Sequence, residues 1–414
     1  MKNRFFLNII FLNILFSSFV TAKPKIAPNP LLLVSIDGLQ PSSITAENSP
    51  TLWALAQNGT QAKSLKPIFP SLTFPNHYSI VTGLYSEKHG IVGNDIRDPA
   101  IAERFSLGAP SEVVNDPRWW QGGEPIWITA QKQGLRSGTL FWPGSEAKIQ
   151  NMLPTYSLHF QQSMTNTERV NNLLKWIDLP SDQSPHFMTL YFDTVDSAGH
   201  KYGPNSNEVL AALKGVDSAI GYLAEQLRIR KIFDDLNIIV VSDHGMAAID
   251  SEKVINVSEV LTRYPNIERI AGGAVGGLFS NNSEEISQVV RDLKEHSTLY
   301  KVYKKNEIPA RFHYQNSNRI PDVLIVAEEG AYISLKPSFF PSSFSNKGAH
   351  GYDNELASMQ ATFIASGPNF PQNLSVNTFS NVYVYAMMCK LLKIKAAPNE
   401  ADNLRKLDLI RWIR

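Results

Sequence analysis

The chain has 414 residues, 43% of them hydrophobic and 19% charged. This length and composition exclude a mostly disordered, collagen-like or coiled-coil protein and leave room for a sizeable core in one large domain or two to three ordinary ones. The 39 basic and 38 acidic residues nearly cancel, so no global field points to nucleic acid, and the single cysteine, Cys389, excludes an intramolecular disulfide or a thiolate zinc cluster.

Residues 1–22 read as a signal peptide. Lys2 and Arg4 form a positive start, Phe5 to Val20 a mainly apolar run, and Val20-Thr21-Ala22 a small-residue cleavage site. The run is short for a membrane span of about 20 residues, the alternative being an uncleaved anchor. Cleavage after Ala22 removes Lys2 and Arg4 and no acid, which takes the net charge from +1 to −1. The expectation is an exported protein, periplasmic or secreted, with no stable membrane insertion after cleavage. Residues 23–414 form the mature chain.

A Pro/Lys-rich lead-in follows, then Leu31 to Ile36, an apolar run ending in Asp37-Gly38. It reads as a strand buried on both faces with a carboxylate at its carboxyl end. Next comes Phe69-Pro-Ser-Leu-Thr73-Phe74-Pro75-Asn-His77-Tyr78, where a helix can start at Thr73 with Pro75 in its first turn. Phe187 to Phe192 is a second apolar run, leading into Asp193 and Asp196. Asn207 to Ile229 has helical spacing. Asn237 to Val241 runs into Ser242-Asp243-His244-Gly245. Residues 250–345 are more polar, with a Gly-rich Ala271 to Gly277 and a Lys/Tyr-rich Tyr300 to Lys305, and read as an inserted cap region. His350 follows in a Gly-rich turn, then a strand over Met359 to Ser366 and a helix over Val382 to Leu392. Strands alternating with helices imply an α/β fold with a parallel sheet covered on both faces. Ligands of such sheets sit outside the carboxyl ends of the strands.

Asp37, Asp196, His200, Asp243, His244 and His350 all fall just after such runs or in glycine turns. Three carboxylates and three imidazoles suit two divalent ions of the zinc type, and a paired site can clamp both apical oxygens of a phosphoryl displacement. Each residue taken alone is equally compatible with a structural role. Thr73 at a helix start is by itself an N-cap; beside a metal it becomes a nucleophile candidate. Asp193, three residues before Asp196, competes with it as a ligand. His159, His186, His296 and His313 carry no motif and read as surface residues; Trp119, Trp120 and Trp127 read as packing.

Several ordered blocks resemble the nucleotide pyrophosphatase/phosphodiesterase family of the alkaline phosphatase superfamily. They are Phe69 through Tyr78 to Thr82-Gly-Leu-Tyr, His89-Gly-Ile-Val-Gly-Asn94, Trp119-Trp120, Glu124-Pro-Ile-Trp127, Phe141-Trp-Pro-Gly-Ser145, Asp196-Ser-Ala-Gly-His200, Asp243-His-Gly-Met246 and Gly348-Ala-His350-Gly-Tyr-Asp353. The resemblance implies an alkaline-phosphatase-like three-layer sandwich and two Zn2+ ions. One ion would be held by Asp37, Thr73, Asp243 and His244, the other by Asp196, His200 and His350. It implies that Thr73 attacks phosphorus to form a phosphothreonyl intermediate and that Asn94 donates a hydrogen bond to a phosphate oxygen. It makes His77 and His89 structural rather than ligating, and suggests Tyr156 as an aromatic wall opposite Phe74. Thr194-Val195 precedes Asp196 where the family commonly has proline, a change in loop rigidity rather than in ligand.

No cation lies in the nucleophile segment; Leu72 and Phe74 flank Thr73. That favours a diester, with one charge fewer than a monoester, and Phe74 can stack on a nucleobase. The expected partner is a small-molecule nucleotide or other phosphodiester and not a nucleic-acid duplex. The rival readings are a choline-phospholipid or glycerophosphodiester hydrolase on the same metal site, and an inert exported binding protein. A sulfatase would need Cys or Ser where Thr73 stands.

Overall fold

The computed structural model describes Ala27, residues 30–336 and residues 344–401. The signal segment 1–22 lies outside the described residues. The strand expected at Leu31–Ile36 (β1) forms over those residues, and all six are buried. It lies at the centre of an eight-stranded sheet. The other strands of the sheet are β2 (Thr60–Ala62), β3 (Ser137–Leu140), β4 (Tyr156–Leu158), β5 (Phe187–Phe192), β6 (Asn237–Val241), β12 (Phe363–Ser366) and β13 (Leu374–Val376), in the order β13-β2-β12-β6-β1-β5-β3-β4. Strands β7 to β11 belong to the region between, described below.

β1 pairs in parallel with β5 and β6, and β5 with β3; only β12 runs antiparallel to its neighbours. The strand expected over Met359 to Ser366 is therefore shorter. Ala357–Met359 turns as a 3-10 helix, and only Phe363–Ser366 enters the sheet.

Both faces are covered, which is why β1 carries no polar alternation. Leu31 and Leu33 point to one core, with helices α2 (Thr73–Thr82) and α7 (Tyr383–Leu392). Leu32, Val34 and Ile36 point to the other, with α1 (Pro50–Gln57), α3 (Asn166–Ile177) and α5 (Asn207–Ile229). Each fully buried leucine here contributes about 1.5–3 kcal/mol relative to exposure. The first turn of α1 is closed from a distance: buried Asp217 on α5 accepts from the backbone N–H groups of Thr51 (3.1 Å) and Leu52 (2.8 Å). A carboxylate there meets the orphan donors and the positive end of the helix dipole.

The stretch 250–345 carries its own four-stranded antiparallel sheet: β7 (Glu268–Gly272), β8 (Val275–Phe279), β10 (Val323–Ala327) and β9 (Tyr300–Lys304), in that spatial order. The helix α6 (Ser283–His296) packs Val289, Val290 and Leu293 into a third core with Leu278, Val302 and Ile325. Within the same stretch, β11 (Tyr332–Ser334) pairs in parallel with Val254–Asn256. No helix among the described residues is long and apolar enough to cross a membrane.

Candidate active site

The carboxyl edge of the sheet delivers the expected acids to one place. Asp37 follows β1, its backbone N–H donating to Phe192 O at 2.9 Å. The next residue has to be glycine. Gly38 sits at φ +70°, a Cβ there would lie 3.2 Å from Asp196 Cα, and its N–H donates to Asp243 Oδ1 at 3.2 Å. Asp243 and His244 follow β6, where the Ser242 hydroxyl donates to Leu39 O at 2.6 Å and locks the turn against β1. Helix α4 (Thr194–Tyr202) puts Asp196 and His200 on one face, four residues apart. His350 arrives from the turn after Gly348–Ala349, which pairs with Ala247–Ala248 beside His244.

The result is two adjacent triads, Asp37–Asp243–His244 and Asp196–His200–His350. The ligand atoms within each lie within 4.8 Å of one another. His244 Nε2 is 2.9 Å from Asp243 Oδ2 and 3.5 Å from Asp37 Oδ1. In the second triad, His350 Nε2 is 3.1 Å from His200 Nε2 and 3.6 Å from Asp196 Oδ1. The His244 and His350 rings stack with centroids 3.5 Å apart, which joins the triads.

The donor set fits a divalent cation in each triad. The buried oxygens Asp37 Oδ1, Asp196 Oδ1 and Asp243 Oδ2 accept no hydrogen bond from the described residues. Each histidine is turned by its other nitrogen: Nδ1 of His200, His244 and His350 bonds to the carbonyls of Gly348 (2.9 Å), Gly245 (2.8 Å) and Ser71 (2.9 Å). A carbonyl only accepts, so Nδ1 carries the proton and the Nε2 lone pairs face the triads, the usual tautomer of metal-holding imidazoles. Charge balance points the same way. Burial and the Asp243 and Asp196 carboxylates push Asp37 well above the ordinary carboxylate range. Burial also raises Asp196. Burial, helped by His244 and His200, holds His350 well below its usual value. At Asp243 burial is outweighed by His244 and His77, which lower it. Three buried carboxylates beside imidazoles that cannot all protonate lack compensating positive charge.

Thr73 is the first residue of α2, not its N-cap, which is Leu72. Its Oγ1 lies 3.3 Å from His244 Nε2. Eight of the ten residues of α2 are buried, so the hydroxyl sits on a rigid element. His77 and His89 are structural. His77 Nδ1 donates to Thr73 O at 2.9 Å and its Nε2 meets Ser35 Oγ at 2.8 Å. His89 Nε2 meets Ser79 Oγ at 2.9 Å and its Nδ1 accepts from Ile91 N. The Phe74 N–H donates to Asn94 Oδ1 at 2.9 Å, which orients the amide so that its NH2 group is the remaining donor. Asp193 is no ligand: it pairs with Arg169 at 2.8 Å. Trp119, Trp120 and Trp127 are fully buried.

A cavity of about 580 Å³ opens from Asp37, Thr73 and Asp196 toward Phe74, Glu146, His159 and Phe160. Phe74 is backed edge-on by Phe105 at 5.4 Å. Among the described residues, no Lys or Arg lines this cavity. Tyr156, expected as the opposite wall, is elsewhere. Its hydroxyl donates to Gln183 O and its ring stacks on Trp176. Register explains the miss: Tyr156 is level with Gly138, Met188 and Leu32, five residues before Asp37 and about 16 Å short of the site edge. Phe160, two residues past the end of β4, takes that wall, packing edge-on against Phe141 at 5.4 Å. Among the motif-free histidines, His296 and His313 are exposed as expected. His159 is exposed but lines the cavity, 2.6 Å from Glu146 Oε2. His186 is buried rather than superficial, accepting from the Arg136 N–H at 3.3 Å.

Several functional residues escape a reading of the sequence. The Tyr191 hydroxyl donates to Asp37 Oδ2 at 2.6 Å, both groups buried. Arg169, also buried, donates to Tyr191 O at 2.9 Å and stacks its guanidinium over Phe141. Glu146 accepts from the Phe160 N–H at 2.8 Å. The rule that ligands lie beyond the carboxyl ends of strands would have favoured Phe160 over Tyr156; nothing local marks Tyr191, which sits inside a buried strand.

The family described as Type I phosphodiesterase / nucleotide pyrophosphatase matches residues 31–353. Human ectonucleotide pyrophosphatase/phosphodiesterase family member 1 is 38% identical over 90% of this chain and 41% of its own length. The bis(5′-adenosyl)-triphosphatase enpp4 of Xenopus laevis is 36% identical over 92% of this chain and 82% of its own. The chain thus spans under half the length of the human relative. Among solved structures, murine ectonucleotide pyrophosphatase/phosphodiesterase 5 superposes with a TM-score of 0.85 at 33% identity, over 92% of this chain and 99% of that one. An inactive threonine-to-alanine variant of that protein in complex with AMP superposes at 0.84. Matched over most of its length in sequence and in fold, the chain belongs to the type I phosphodiesterase/nucleotide pyrophosphatase family.

Proposed function

We propose that this protein is an exported, zinc-dependent phosphodiesterase that cleaves nucleotide phosphodiester or phosphoanhydride bonds and releases nucleoside 5′-monophosphates. The carrying observation is the Thr73 hydroxyl at the edge of two fused Asp/His triads, in a cavity with aromatic walls and no Lys or Arg among its described lining residues. Asp37, Thr73, Asp243 and His244 would hold one ion, and Asp196, His200 and His350 the other. Bound there, the two cations would supply Lewis acidity, favouring the Thr73 alkoxide and balancing charge on the apical oxygens.

The chain's own residues do the rest. Phe74 and Phe160 sandwich the base, and the Asn94 NH2 group donates to a non-bridging phosphate oxygen. Thr73 loses its proton to water, and its Oγ1 attacks phosphorus. A phosphothreonyl ester forms as the P–O bond to the leaving group breaks, and that group leaves with the electron pair. Water then attacks from the vacated side and restores Thr73, so two inversions retain configuration. A cavity without Lys or Arg suits the single charge of a diester better than the dianion of a monoester.

The test is hydrolysis by the purified protein of three p-nitrophenyl compounds, with and without chelator and added zinc. They are the ester of thymidine 5′-monophosphate, p-nitrophenyl phosphate and p-nitrophenyl phosphorylcholine. Preferential, chelator-sensitive cleavage of the nucleotide ester is expected. Preference for the choline ester would move the substrate to lipids and keep the mechanism. Inertness toward all three with metal bound would favour a binding protein. Thr73→Ala is expected to lower turnover by at least about 10³-fold while metal content is retained. Full activity in that variant would remove Thr73 as nucleophile.

A further inference from the structure

His159 and Glu146 have no part in the chemistry above, yet both line the cavity beside Thr73. Glu146 ends a turn that buried packing holds in place. The Ser145 N–H donates to Trp142 O at 3.0 Å, and a Cβ on Gly144 would approach the buried Trp120 to 2.6 Å. The Glu146 side chain is only 14% exposed, and both its oxygens are engaged. Oε1 accepts from the Phe160 N–H at 2.8 Å. Oε2 accepts from His159 Nδ1 at 2.6 Å and from the Asn115 side-chain amide at 3.3 Å. One carboxylate therefore fixes two consecutive residues of the cavity, the backbone that carries the Phe160 wall and the ring of His159. The rest of His159 is open: its side chain is 86% exposed, and Nε2 has no partner among the described residues. Holding an exposed ring in one rotamer costs conformational entropy, which the charge-assisted bond to Glu146 offsets.

We propose that the Glu146–His159 pair reads the base: His159 Nε2 accepts from an exocyclic amino group on the edge of a base held between Phe74 and Phe160. That selects adenine and cytosine over hypoxanthine and uracil. The inference rests on the reading of the function above. A carboxylate only accepts, so the neutral ring carries its proton on Nδ1 and presents a lone pair at Nε2. An amino N–H satisfies that lone pair, whereas a keto oxygen in the same place opposes it with another. His159 and Phe160 follow directly on β4, so one short segment supplies an aromatic face for the ring and an acceptor for its edge. Ser111, Asn115 and Gln162 also line the cavity, but hydroxyl and amide groups both donate and accept and impose no such choice. Glu146 is the positioning residue, because it sets the tautomer and the place of His159. Water competes at this open rim, so the discrimination is that of one net hydrogen bond, about three- to tenfold.

The experiment uses His159→Ala and Glu146→Gln in the full chain. It measures kcat/KM for the p-nitrophenyl esters of adenosine and inosine 5′-monophosphate at pH 8.5, where an imidazole is neutral. The two bases stack alike and differ at one edge, 6-amino against 6-keto. The adenosine-to-inosine ratio is expected to exceed one in the wild type and to fall about three- to tenfold in His159→Ala. In Glu146→Gln the side-chain amide N–H donates to Nδ1, the ring proton moves to Nε2, and the ratio is expected to fall below that of His159→Ala. A merely structural role for either residue lowers both values and keeps the ratio. An unchanged ratio in either variant, with the wild type active on both esters, therefore overturns the base-reading pair and leaves the proposed function standing. A wild type inactive on both overturns the two readings together.

Discussion

Replacing Tyr191 by phenylalanine deletes one oxygen and isolates its contact with Asp37. The hydroxyl donates to Asp37 Oδ2 at 2.6 Å, while Asp37 Oδ1 accepts nothing from the described residues. Burial and the neighbouring carboxylates favour the protonated form of Asp37, and the Tyr191 bond opposes them. A hydrogen bond to a charged group contributes about 1.5–3 kcal/mol, or roughly 10- to 150-fold in an equilibrium constant. That matches the 10- to 100-fold loss typical when a group supporting a metal ligand is removed. Tyr191→Phe is therefore expected to weaken zinc binding at the Asp37 triad about 10- to 100-fold. The sign of the pH effect follows: without the donor Asp37 holds its proton more tightly, so zinc loading shifts to higher pH. The assay is metal content after equilibration in zinc buffers from pH 5 to 8, with nucleotide-ester hydrolysis in parallel. Loading curves that superpose on those of the wild type would refute the reasoning, because the bond would then carry no differential energy.

Arg169→Met should lower unfolding free energy by about 3–5 kcal/mol, since it leaves Asp193 beside an unpaired, largely buried position; a denaturant midpoint within error of wild type would contradict this. Phe160→Ala should reduce kcat/KM for the nucleotide ester about 5- to 150-fold through lost stacking, whereas Tyr156→Ala should spare it; the reverse order would restore Tyr156 as the wall. His89 gives a stability prediction. Burial depresses its pKa from 6.5 to about 3, so its contribution is complete above pH 6.5 and is lost as pH falls toward 3, at up to about 1.4 kcal/mol per unit. Denaturant unfolding at pH 7, 5.5 and 4 should show a shallower decline in His89→Gln than in the wild type.

The sequence by itself determined the sheet strands that carry the acids and the identity of the ligand candidates. Leu31–Ile36, Phe187–Phe192 and Asn237–Val241 are continuous apolar runs, and only strands covered on both faces can bury such runs without alternation. Their carboxyl ends therefore had to meet at one edge, with Asp37, Asp196, Asp243 and His244 beyond it. The helix at Thr73 was legible from Pro75 and the spacing that follows. Tertiary structure alone decided the rest. Parallel register placed Tyr156 level with Leu32 and brought Phe160 to the site, because a short strand at the sheet edge carries no local sign of its offset. Tyr191 reaches Asp37 across neighbouring strands 154 positions apart, and Arg169 reaches Asp193 from a separate helix. In the sequence the glycines of Ala271–Gly277 mark only a change of composition within the expected cap region, whereas in the fold they form a hairpin tied to Ile333. Local pattern sets which residues are buried and which end an element; contacts distant in sequence exist only once the elements have packed.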